Sequence, residues 1–75
     1  MNFSVIGFHP GKDELVFEQS ISLSVEDLIP IMQWTSSNEC IGVDFRLTTT
    51  QALEIERLAS LAFPQGLDLY LTSSG

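Results

Sequence analysis

Two segments of this 75-residue chain, 25–35 and 49–63, space their apolar side chains as a helix does, and the segments around them alternate with the period of a strand. The first strand segment, "NFSVIGF", runs into "HPGKDE", where Pro10 supplies the preset φ and Gly11 the positive φ of a type II turn. The chain reverses there. "ELVFEQSISL" then sets Leu15, Phe17, Ile21 and Leu23 on one face and Glu14, Val16, Glu18, Ser20 and Ser22 on the other, with Gln19 the one polar residue of the inward row. Two later segments repeat the pattern. "CIGVDFRL", residues 40–47, points Ile41, Val43, Phe45 and Leu47 inward against Gly42, Asp44 and Arg46; "LDLYLT", residues 67–72, points Leu67, Leu69 and Leu71 inward against Asp68, Tyr70 and Thr72.

Each helix has a start signal. Ser24 with Asp27 three residues on forms a capping box, and Leu23 with Leu28 has the spacing of a hydrophobic staple. Its apolar stripe is Val25, Leu28, Ile29 and Met32, broadened by Ile31 and Trp34. Pro30 lacks an N–H and crowds the preceding turn, so the expectation over 25–35 is a kink or a fresh start at Pro30. Trp34 reads either as a core aromatic or as an interface anchor. The second helix, 49–63, opens on the Thr48 and Gln51 box, turns Ile55, Leu58, Ala59 and Ala62 inward, and stops at Pro64 and Gly66. Residues 35–39 form a loop, and "SSG" a loose terminus.

The order β, β, α, β, α, β fits an α+β two-layer sandwich in which one mixed four-stranded sheet carries two helices on one face. The first two strands are antiparallel through their short turn. Strand 40–47, helix 49–63 and strand 67–72 are expected to form a right-handed parallel crossover. A single domain over residues 1–75 is all that such a length supports.

Ten acidic residues against three basic ones give a net charge of −7, which argues against direct contact with nucleic acid or an acidic membrane. The excess permits a basic protein partner, and solubility alone also accounts for it. Cys40 is the sole cysteine and cannot form an internal disulfide, which suits a reducing cytosol. No apolar run approaches the roughly 18 residues of a membrane span, and the N-terminus lacks the segments of a signal peptide, so a cytoplasmic location is expected.

No group of residues names a reaction. His9 beside Pro10 reads as a solvated turn residue without a placed nucleophile or orienting acid, and Cys40 as a small packed residue at a strand start. One Cys and one His do not make a structural zinc site, and calcium and phosphate loops are lacking. Glu54 and Glu56 point in different directions on a helix. The expectation is a protein that is not an enzyme, with no catalytic residue, metal or cofactor.

What the pattern does define is a face. With both helices on one side, the other side carries Ile6, Phe8, Glu14, Val16, Glu18, Asp44, Arg46, Asp68 and Tyr70, a carboxylate-rich surface with apolar residues inside it. The first strand is apolar on both faces, Phe3 and Val5 against Ile6 and Phe8, as in a binding face or a fully buried central strand. The stretch "FHPGKDELVFEQSISL...VEDL", with "LTTTQALEIERL" and "LDLYL", resembles a group of very small bacterial proteins that open with a charged hairpin followed by a leucine-rich helix. In size and acidity the chain is also similar to the immunity proteins of bacterial contact-dependent growth inhibition, which bind and neutralise a toxin domain.

That resemblance implies a binding inhibitor covering the basic cleft of a toxin, such as a nuclease. Glu14, Glu18, Asp44 and Asp68 would meet Lys or Arg, and Phe8 and Tyr70 would anchor the apolar centre. Two alternatives use the same face. One is a homodimeric structural or regulatory module burying Ile6, Phe8 and Val16; the other is a nucleic-acid mimic that blocks a nucleic-acid-binding protein.

Overall fold

A computed structural model describes residues 2–34 and 44–74. The expectations for residues 35–43, including Glu39, Cys40, Ile41, Gly42 and Val43, lie outside the described residues. The elements run β1 (Asn2–Phe8), β2 (Leu15–Ile21), α1 (Val25–Met32), β3 (Phe45–Arg46), α2 (Thr49–Ala59) and β4 (Asp68–Ser74). The fold is α+β, with one open four-stranded sheet and two helices.

The hairpin forms as its turn dictates. Lys12 N–H donates to the carbonyl of His9 at 2.9 Å, and Gly11 takes φ 78, the positive value that the third position of a type II turn requires. β1 lies inside the sheet, in the order β2-β1-β4-β3, paired to β2 on one side and to β4 on the other. Its inner row packs closely. A Cβ on Gly7 would stand 3.0 Å from Leu67 Cδ1 and 3.2 Å from Phe17 Cβ, so a glycine there allows the neighbouring strands' side chains to close over the backbone.

Every pairing is antiparallel, which corrects the expected mixed sheet: β3 pairs β4 through Phe45 with Leu71 and Arg46 with Tyr70. The reason lies beyond α2. A helix of 11 residues advances about 16 Å. Residues 60–67 then run back along it, returning the chain to where β3 ended instead of to the far end of that strand. Leu47 N–H closes the junction on the Leu69 carbonyl at 2.9 Å.

That return begins earlier than the sequence suggests. α2 stops at Ala59 rather than at residue 63, because Ser60 enters the left-handed region at φ 56 and the Leu61 N–H reaches back to the Glu56 carbonyl at 3.0 Å. Of the residues expected inward, Leu58 inside α2 and Ala62 beyond its end both face water. Leu58 is 46% exposed and Ala62 is exposed, whereas Ala52, Ile55 and Phe63 are buried. The Phe63 N–H is held by the Glu56 carboxylate at 2.6 Å, and its ring meets Phe17 edge-on with centroids 6.0 Å apart.

α1 ends in the same manner, at Met32 instead of residue 35, with Gln33 at φ 60 and the Trp34 N–H on the Ile29 carbonyl at 3.2 Å. It runs through Pro30 as one element. Pro30 cannot donate to the Glu26 carbonyl four residues back, but both residues are exposed, so water can take that place. Both capping boxes are present: Ser24 Oγ accepts from Asp27 N at 3.2 Å and Thr48 Oγ1 from Gln51 N at 3.1 Å, each with the reciprocal bond. Neither left-handed closing residue is glycine. Ser60→Gly removes the Cβ penalty at φ 56, and we expect it to stabilise the fold by about 1 kcal/mol, read as a higher midpoint in urea.

The core is a single cluster formed by the inner row of the sheet and the helices: Phe3, Val5, Leu28, Ile55 and Leu71 are its most enclosed large side chains. Trp34 belongs to it, 7% exposed and packed on Phe45 (5.2 Å) and Phe3 (6.4 Å). Leu15 does not. Gly7 pairs with Phe17 but Phe8 with Leu15, so a bulge skips Val16 and carries Leu15 off the inner row, where it is 47% exposed. The sheet also extends further than expected at its end, since Ser73 and Ser74 pair with Phe3 and Asn2.

Candidate functional site

Because opposed residues of an antiparallel pair share a face, the register fixes what stands on the outer side of the sheet. One row crosses it from edge to edge: Glu18, Ile6, Tyr70 and Arg46. In the next row Phe8 stands between Leu15 and Asp68. Interior placement of β1 accounts for the apolar residues on both its faces. Ile6 and Phe8 are half-buried among their cross-strand neighbours.

Phe8 and Tyr70 lie diagonally across β1 and β4, and their rings meet edge to face with centroids 5.7 Å apart. Around them is a concavity of about 350 Å³ lined by Phe8, Lys12, Asp13, Asp44, Asp68 and Tyr70. The type II turn places Lys12 and Asp13 there by folding the chain back beside Phe8, while Asp44, just before β3, and Asp68, the first residue of β4, flank the Arg46–Tyr70 row on opposite sides. Arg46 borders the concavity. Its Nη2 bonds Asp68 Oδ1 at 3.0 Å, and its Cζ lies 6.0 Å from the centre of the Tyr70 ring.

Four of the six residues singled out from the sequence, Phe8, Asp44, Asp68 and Tyr70, therefore line one depression. Glu18 shares their face but stands two strands from Tyr70, about 10 Å away at the usual strand spacing. Glu14 is exposed just before β2 and does not line the concavity. Lys12 and Asp13 are additions that sequence periodicity missed, since they belong to a turn and have no strand face. The signal was available in the Pro10-Gly11 pair, which sends the residues after it back toward Phe8.

Chemically the site is an aromatic floor with three carboxylates at its walls, an arrangement that receives a cation. Among the described residues no group of three or more His, Cys, Asp or Glu converges as a metal ion would require.

The family model of a domain of unknown function, DUF7683, matches residues 3–72 and so touches every strand and helix described above. The chain belongs to that family. Comparison with curated proteins and with solved structures finds no match. In this DUF7683 domain no described helix is long and apolar enough to cross a membrane.

Proposed function

We propose that this DUF7683 domain is a binding inhibitor that docks its outer sheet face onto a basic bacterial toxin domain. A nuclease is the partner class the charge fits best, because its own cleft must be positive to hold phosphates. The observation that carries the reading is the concavity in which the Phe8 and Tyr70 rings stand among Asp13, Asp44 and Asp68. Half-buried aromatic residues with charged neighbours are the usual anchors of protein interfaces. Asp44 and Asp68 make charge-assisted hydrogen bonds to Lys or Arg of the partner. Glu18, Glu14 and the net charge of −7 act from further away, raising the rate of encounter.

Affinity capture from the producing host, with the partner identified by mass spectrometry and its affinity then measured at two salt concentrations, tests this. A basic toxin domain bound roughly tenfold or more weakly at high salt is the expected result. An acidic partner, or a basic one whose affinity ignores salt, contradicts it.

Self-association has one observation in its favour, since Leu15 and Val16 at the bulge are 47% and 44% exposed on the side of Ile6 and Phe8. The two readings differ in sign. Two like-charged copies repel, so salt strengthens a dimer, whereas it weakens the docking of a cationic partner. Light scattering across the same salt range separates them.

A further inference from the structure

Asp68 and Tyr70 each serve two places at once. Both line the concavity, and both are also engaged by Arg46, through the 3.0 Å bond to the Asp68 carboxylate and the approach of the guanidinium to 6.0 Å from the ring centre. The Arg46 side chain is 63% exposed and that of Asp68 27%, so this ion pair is held weakly.

Resting on the docking reading above, we propose that the concavity is a guanidinium subsite and that Arg46 is its internal competitor, displaced by an arginine of the partner. An incoming guanidinium replaces one exposed pair with another at Asp68, which is nearly neutral, and gains Asp13 and Asp44, which Arg46 does not bond. A planar, weakly hydrated guanidinium forks onto a carboxylate while lying over an aromatic ring; the compact, strongly hydrated ammonium of lysine does not. Lys12, the one cation among the described lining residues, opposes an incoming guanidinium and an incoming ammonium alike, so the selectivity rests on the fork and the ring. The site therefore prefers arginine, and Arg46 sets how much of that preference reaches the partner.

Acetylated, amidated hexa-arginine and hexa-lysine peptides are the probes, titrated calorimetrically at low salt into the wild-type chain, Arg46→Gln and Arg57→Gln. Arg57 is the control, an exposed arginine paired with Glu54 on α2. Each variant moves the net charge from −7 to −8, since one positive charge is lost, so any general electrostatic gain is the same in both. Hexa-arginine should bind the wild type about threefold or more tightly than hexa-lysine. Arg46→Gln should bind hexa-arginine about fivefold more tightly than Arg57→Gln does. Arg46→Lys, which retains a cation on the edge strand, should show part of that gain if the glutamine variant folds poorly. Equal gains at the two positions, or weaker binding by Arg46→Gln, overturn the competitor while leaving a general cationic docking face. Failure of every variant to bind either peptide overturns the subsite and the docking reading together.

Discussion

Ile55→Ala will lower the stability of the folded chain by about 3 kcal/mol, the usual cost of emptying a fully enclosed aliphatic site. Ile55 has no exposed surface and sits in the middle of α2, where it faces the inner row of the sheet. Alanine favours the helix by a few tenths of a kcal/mol, which offsets little of the loss. A chain of 75 residues has roughly 4–11 kcal/mol of stability in total, so this one change removes a large share of it. The melting temperature should fall by roughly 10–25 °C. Leu53→Ala, two residues away and 57% exposed, should stay within about 0.5 kcal/mol of the wild type. Trp34, the sole tryptophan and buried between Phe3 and Phe45, reports both transitions by fluorescence.

Tyr70→Thr carries the largest effect expected on binding. Threonine is a good strand former, so β4 and its pairing with Ile6 and Arg46 persist. The ring is lost from the floor of the concavity, and Phe8 loses its edge contact. An anchor of this kind contributes about 2 kcal/mol or more to a protein interface, so affinity for the basic partner should drop about thirtyfold, mainly through faster dissociation. Asp44→Asn should act differently, lowering the association rate and the salt dependence more than the dissociation rate. A Tyr70→Thr chain that folds and binds as well as the wild type would remove the concavity from the interface.

Much of this fold is legible in the sequence, because alternation assigns each strand residue to a face before any partner strand is known. That is why Phe8, Asp44, Asp68 and Tyr70, named from period alone, converge in one depression. What alternation does not carry is the termination of helices. Gln33 and Ser60 close α1 and α2 in the left-handed region, and neither is the glycine or asparagine that signals such a stop. The early end of α2 freed residues 60–67 to run back, and that return made β4 antiparallel to β3 instead of a parallel crossover. A single skipped residue, Val16, similarly moved Leu15 across the sheet. Bulges depend on the fit between two strands, and one strand's sequence does not record them. Lys12 and Asp13 joined the site through a turn, where a period has no meaning.

Chemical-shift mapping on the isotopically labelled chain, titrated with its basic partner, tests most directly whether the acidic aromatic side of the sheet is the docking surface. Docking there predicts perturbations concentrated at Phe8, Lys12, Asp13, Asp44, Arg46, Asp68 and Tyr70, with Leu53, Arg57 and Leu58 on the exposed side of α2 unmoved. Perturbations centred on α2, with the Phe8 and Tyr70 signals unchanged at saturation, would contradict it.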